Sequence, residues 1–213
     1  MKKTHLDEEQ LKKDYNKYKD EYKNFQKEVY TIIKQIEKES DKWGIHYIRQ
    51  RHNGGSIKKL KSILENNKGR DDKPDKYKGH KKLTDLKDIA GVRVACYCRD
   101  DRDNLAYYLE GHLKTKGYLN VKAEEKEEEY RAIHVDLAKT VQVGRKKEKI
   151  FCEIQVRTVM ADAWAVQDTK FSYKKLGDAD SATLKKAIAD ILDGCENLWE
   201  MVKRKSQDQN NKK

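Results

Sequence analysis

In FCEIQVRT, residues 151–158, a carboxylate, an amide and a guanidinium recur at every second position. An extended chain sends Glu153, Gln155 and Arg157 to one face and Cys152, Ile154 and Val156 to the other, so the segment reads as a strand with a core face and a site face. A carboxylate on the site face can bind a divalent metal or take a proton from a hydroxyl. Asp88 supplies a second carboxylate just before the apolar run IAGVRVACYC. There Gly91 permits close backbone approach and Arg93 can project toward a phosphate. Two carboxylates among arginines and lysines suit magnesium-dependent transfer of a phosphoryl or pyrophosphoryl group, in which the metal bridges phosphate oxygens and the cations stabilise developing charge. A turn-capping role would by itself also explain Asp88. Tyr130 and Arg131 precede AIHVDL, a ring and a guanidinium that could stack on and clamp a base; a tyrosine covering the core edge is the plainer alternative.

Several elements must position these groups. Leu11, Tyr15, Tyr18, Tyr22, Phe25, Val29, Ile32, Ile33 and Ile36 recur every three or four residues, which predicts one amphipathic helix over residues 6–42. Its tyrosine stripe either packs on the rest of the protein or, beside Lys12, Lys13, Lys17, Lys19 and Lys23, serves a partner or a polyanion. A second helix follows around Ile57, Leu60, Ile63 and Leu64, then a loop over 66–82 that holds Pro74 and no apolar periodicity. Beyond it the order is strand (IAGVRVACYC), helix (101–116), three strands (LNVKAEE, AIHVDLAK, KIFCEIQV) and two helices, 159–173 and 181–205, the last capped by Asp180 or Ser181. The class is α+β: a single mixed sheet backed by helices, with a long N-terminal and a C-terminal helix. The boundaries are 1–44 for a helical arm, 45–177 for the central domain, 178–205 for the C-terminal helix and 206–213 for a flexible tail.

Composition limits the function classes. Lys and Arg total 48 against 37 Asp and Glu, a formal +11, which attracts polyanions or simply keeps the protein soluble. No apolar run approaches the roughly 20 residues that cross a bilayer, and MKKTHLDEEQ lacks a signal-peptide core, so a cytoplasmic protein without a membrane partner is expected. Cys96, Cys98, Cys152 and Cys195 form no CxxC pair, and the six histidines show no zinc-ligand spacing.

Four segments in order carry a resemblance: LKDIAGVR (86–93), EYRAIH (129–134), EIQVRT (153–158), and Trp164 with Tyr173-Lys174. Together they resemble the RelA/SpoT alarmone synthetase domain, with a nucleotidyltransferase-like sheet, in its small stand-alone form. The resemblance implies a pyrophosphokinase that moves the β,γ-pyrophosphate of ATP to a ribose 3′-hydroxyl, with magnesium as cofactor. It implies Asp88 and Glu153 as metal ligands, with Glu153 also activating the hydroxyl; Tyr130 as the base-stacking residue; Arg131, His134, Gln155 and Arg157 as the acceptor pocket; and Arg93 near the donor. The family's Arg-x-Lys-x-x-x-Ser-Ile pattern fits IRQRHNGGSIKKLKSILENN in two registers. Without a gap Lys58 and Ser62 fall on ATP, Ser56 stands where the first arginine belongs, and Arg51 supplies the cation; with one inserted residue Arg49 and Arg51 lead to Ser56-Ile57.

The acceptor is either free GDP or GTP (or an adenine nucleotide), giving an alarmone, or the 3′ CCA end of tRNA, giving a translation-inhibiting toxin checked by an antitoxin protein. Two departures from the family pattern, Glu129 before Tyr130 and Asp168-Thr169 after Trp164, together with the excess charge, tilt the sequence reading to tRNA, with Lys174 and Lys175 on its backbone. An inactive basic RNA-binding module is a third class, disfavoured because Asp88 and Glu153 are both present.

Overall fold

The structure, a computed structural model, describes residues 6–39, 41–51, 57–68, 77, 79–126, 132–171 and 178–210. Helix α1 spans Glu8–Glu39, with Glu8 and Glu9 in its first turn and Lys38 in its last, charges that complement the helix dipole. A single 3₁₀ turn (Asp41–Trp43) leads to strand β1 (Ile45–Gln50), followed by α2 (Leu60–Lys68), a second 3₁₀ turn (Leu83–Asp85) and β2 (Ala90–Cys96). Then come α3 (Arg99–Thr115), β3 (Leu119–Lys126), β4 (Ala132–Val143), β5 (Lys146–Thr158), α4 (Val159–Phe171) and α5 (Asp178–Asn210).

The five strands form one mixed sheet in the order β1-β2-β5-β4-β3. Only β2 and β5 run parallel; the other pairs are antiparallel. A long β4–β5 hairpin turns through Gly144-Arg145, where the glycine takes φ +63° and spares an L side chain the left-handed region. Strand alternation divides the sheet as FCEIQVRT predicts: Cys152, Ile154 and Val156 are fully buried in the same hydrophobic cluster as Val92, Val94, Val135 and Leu137.

That cluster also takes in Tyr18, Tyr22, Phe25, Val29, Ile33 and Ile36 of α1. Tyr15 adds a hydrogen bond to the Lys58 carbonyl at 3.0 Å. The tyrosine stripe therefore packs on the sheet, which removes it as a partner surface, and the segment drawn as an arm over 1–44 shares the central core; Lys13, Lys17 and Lys23 remain exposed.

Four details differ from the sequence reading. Strand β1 was not expected; it is a short edge strand whose register shifts between Ile45 and Tyr47, which breaks the alternation that would reveal it. Helix α1 is shorter at both ends than 6–42. Residues 66–68 of the expected loop complete α2. Helix α5 begins at Asp178 and runs through residues 206–210 of the expected tail, since no glycine or proline follows Lys205 to stop it. Among the described residues no helix is long and apolar enough to cross a membrane.

Helix α5 is tied to the start of α3 by Arg99, whose Nε donates to Glu196 at 2.7 Å and whose backbone N–H donates to Glu200 at 2.7 Å. Helices α4 and α5 meet in a small second cluster of Ala161, Trp164 and Ala189. This arrangement brings α4 against the polar side of the sheet.

Candidate active site

The site floor is a row of side chains crossing the sheet. Register places Arg49 of β1, Arg93 of β2, Gln155 of β5, His134 of β4 and Glu124 of β3 side by side. In the neighbouring row Gly91, Glu153 and Asp136 lie together. Glu153 is only 8% exposed, and a buried carboxylate requires partners. Its Oε1 lies 2.8 Å from His134 Nδ1, while its Oε2 accepts from Gln155 Nε2 at 3.0 Å and from the Arg51 guanidinium. Gly91 makes room for this: a Cβ there would stand 3.0 Å from both Arg51 Cδ and the Glu153 carbonyl oxygen. From the core side Gln26 of α1 donates to the Gly91 carbonyl at 2.7 Å, and the Arg51 N–H reaches the same oxygen at 2.9 Å.

Asp88 sits in the segment that enters β2, two residues before its first paired position. Lys58 Nζ donates to its Oδ2 at 2.8 Å and the Tyr77 hydroxyl to its Oδ1 at 3.0 Å. Lys58 also donates to the Tyr77 oxygen at 2.6 Å, and its backbone N–H holds the Ile89 carbonyl at 2.8 Å. Burial and the Asp88 charge raise the Tyr77 phenol well above its ordinary value, so it stays a hydrogen-bond donor.

A third cluster was not read from the sequence. Asp162 of α4, its side chain 3% exposed, accepts from Arg93 Nη1 at 2.8 Å, from Arg49 Nη2 at 2.7 Å and from the Tyr47 hydroxyl. Arg93 in turn gives Nε and Nη2 to Gln155 Oε1 at 3.2 and 2.9 Å. Burial, reinforced by the charges of Arg157, Arg49 and Arg51, lowers the Arg93 pKa to about 9. Burial pushes the Asp162 carboxyl up to about 6. One signal was available: Asp162 is the one charged residue in VMADAWAV.

The structure thus brings Asp88, Lys58, Arg51, Glu153, His134, Gln155 and Arg93 to the β2–β5 pair and its entry loop. Arg157 lies on the same face as Glu153, buried, opposite Ala95. Ser62 sits in the first turn of α2, four residues beyond Lys58. Tyr130, Arg131, Lys174 and Lys175 lie outside the described residues, as do Ser56 and residues 69–76 of the expected loop.

Among the described residues no three His, Cys, Asp or Glu side chains converge into a metal cage. Two buried carboxylates fit an ion that takes oxygen ligands and completes its shell with phosphate and water, which is how magnesium is usually held.

A family profile described as the region found in RelA/SpoT proteins matches residues 55–178, more than half of the chain. The chain belongs to the RelA/SpoT family. Its segments are 33% identical over 98 residues to the GTP pyrophosphokinase YwaC of Bacillus subtilis, a match covering 44% of this chain and 45% of the relative, so less than half of that relative's length is spanned. Two solved structures share the fold of this chain. The small alarmone synthetase 1 of Bacillus subtilis bound to its product pppGpp superposes with a TM-score of 0.68 at 20% identity, covering 93% of this chain and 99% of that one. The same synthetase bound to AMPCPP gives a TM-score of 0.62 at 17% identity, covering 93% and 99%. These likenesses bear out an α+β fold with one mixed sheet and helices.

Proposed function

We propose that this RelA/SpoT-family chain is a pyrophosphokinase that moves the β,γ-pyrophosphate of ATP onto a ribose 3′-hydroxyl. The observation that carries the reading is the buried Glu153 carboxylate, held on the sheet face by Arg51, His134 and Gln155 next to β2, the strand that Asp88, paired with Lys58, leads into. A carboxylate on the sheet face can take a hydroxyl proton, and the cations around it suit a polyphosphate.

Asp88 and Glu153 would hold magnesium, which when bound neutralises phosphate charge and favours attack at phosphorus. The acceptor 3′-oxygen bonds to the β-phosphorus of ATP, the bond from that phosphorus to the oxygen bridging to the α-phosphate breaks, and AMP leaves. The hydroxyl proton passes to a Glu153 carboxylate oxygen, and its hydrogen bonds to His134 and Gln155 set the direction from which it meets the hydroxyl. Arg51, Lys58 and Arg93 supply positive charge for the triphosphate, and Ser62, in the first turn of α2, also serves ATP. Tyr130 stacks on the acceptor base, and Arg131, His134, Gln155 and Arg157 line its pocket.

A guanosine 5′-di- or triphosphate is the acceptor with support from similarity, since the curated relative is named a GTP pyrophosphokinase and a solved neighbour holds pppGpp. This moves it ahead of the tRNA 3′ end that the sequence favoured. The tRNA reading keeps one specific observation: a formal +11 with exposed lysines along α1, charge that a nucleic-acid backbone would use. In that reading Lys174 and Lys175 contact the backbone and an antitoxin protein holds the enzyme in check.

The test is a transfer assay with γ-32P-ATP and magnesium, offering GDP, GTP, AMP, ADP and deacylated tRNA separately. Label on GDP or GTP supports the alarmone reading. Label on tRNA, lost when the 3′-terminal adenosine is removed, replaces it with the toxin reading; label on none of them overturns pyrophosphotransfer.

A further inference from the structure

We infer that Asp162 is a positioning residue for Glu153, acting through Arg93 and Gln155. The inference rests on the pyrophosphotransferase reading of the same site, and its physical basis is the direction of each hydrogen bond in a four-residue chain.

A glutamine amide presents an acceptor at one end and a donor at the other, and either end could face a neighbour. Arg93 removes that choice. Its Nε and Nη2 both donate to Gln155 Oε1, so the amide nitrogen must turn to the other side, where it donates to Glu153 Oε2 at 3.0 Å. Arg93 holds this pose because its remaining terminus, Nη1, donates to Asp162 Oδ1 at 2.8 Å. The other Asp162 oxygen is engaged by Arg49 and Tyr47, so the carboxylate is fixed from both sides.

Asp162 is too buried to meet a nucleotide itself, and α4 follows β5 without a break, so its place relative to Gln155 and Glu153 is set by backbone. Charge adds to the geometry. Arg49, Arg51, Arg93 and Arg157 lie close enough for the other three to depress the Arg93 pKa, and Asp162 is the carboxylate that bridges two of them. Without it Arg93 is repelled from the row, the Gln155 amide is free to reverse, and a carbonyl oxygen then faces the Glu153 carboxylate. Two acceptors in contact repel, and Glu153 rotates from the acceptor hydroxyl.

The experiment compares wild type with Asp162→Asn, Arg93→Ala and the double variant, using ATP and whichever acceptor wild type labels. Side-chain 15N spectra of the Arg93 Nε–H and the Gln155 amide are recorded on wild type and Asp162→Asn. The expected result is a fall in kcat of about 10-fold or more for Asp162→Asn with KM for ATP within about threefold, and no further loss when it is added to Arg93→Ala, because both changes break one chain. The Arg93 and Gln155 signals, protected and dispersed in wild type, shift to solvent-exchanging positions in the variant. Asp162→Glu recovers part of the lost kcat. Where Asp162→Asn does not fold, Asp162→Ser, smaller but still an acceptor, carries the same expectation. Unchanged kcat with unchanged side-chain signals, or losses that multiply in the double variant, overturns the proposal. If wild type labels no acceptor, the pyrophosphotransferase reading fails on its own, and the side-chain spectra still decide whether Asp162 fixes Arg93 and Gln155.

Discussion

Lys58 and Asp88 form an ion pair of 2.8 Å with only 11% and 9% of their side chains exposed. Lys58 thus stands between two tasks: in the gapless register of the family pattern it is proposed to bind ATP, and it compensates a carboxylate that water barely reaches. Removing one partner of a buried pair leaves the other charge uncompensated, a cost of about 3 kcal/mol. Lys58→Met should lower the urea unfolding midpoint accordingly, and adding Asp88→Asn should restore much of the loss. If the double variant is less stable than Lys58→Met, the pair is not what Asp88 depends on.

Gly91 offers a separate test of the floor. Its missing Cβ leaves 3.0 Å to the Glu153 carbonyl, a backbone atom of β5 that cannot swing aside, and 3.0 Å to Arg51 Cδ. Gly91→Ala should destabilise the fold by about 1–3 kcal/mol, as overpacking does. It should also lower transfer activity, because Arg51 is displaced from Glu153. Thermal unfolding and the transfer assay read the two effects; wild-type values in both would show that the strands slide apart freely.

The pH dependence of stability reports on Asp162, which faces Tyr47 and Arg49 of β1 and Arg93 of β2. Burial raises its carboxyl from the ordinary 3.8 to about 6. Between those values the folded state keeps a proton that the unfolded state has released, so the contribution is fully present below about 4 and is lost as pH rises through about 6. The stability of wild type minus that of Asp162→Asn should therefore fall across this window and stay flat above it. A difference that rises instead would mean that the two guanidinium groups outweigh burial and hold the carboxyl low.

Much of the architecture was legible because period and burial coincide. The two faces of β5 follow from strict alternation in FCEIQVRT, and α1 from apolar residues at helical spacing. The carboxylates at Asp88 and Glu153 stood out as charged groups, one immediately before an apolar run and one within an alternating strand. Strand β1 escaped because its shifted register blurs the alternation, and Asp162 because one acidic residue on a helix says nothing about which sheet residues it will meet. The partners of Lys58 were also hidden: a lysine at an ATP motif signals phosphate, while its pairing with Asp88 and Tyr77 depends on tertiary packing.

The most direct measurement of the central claim is a single-turnover reaction of β,γ-labelled ATP with magnesium and the preferred acceptor, comparing wild type with Glu153→Gln and resolving AMP from ADP. The site as described should release one AMP per pyrophosphate transferred in wild type, and Glu153→Gln should transfer at least about 100-fold more slowly while keeping its fold, because the proton acceptor is gone. Release of ADP in place of AMP, or undiminished transfer by Glu153→Gln, would contradict the account.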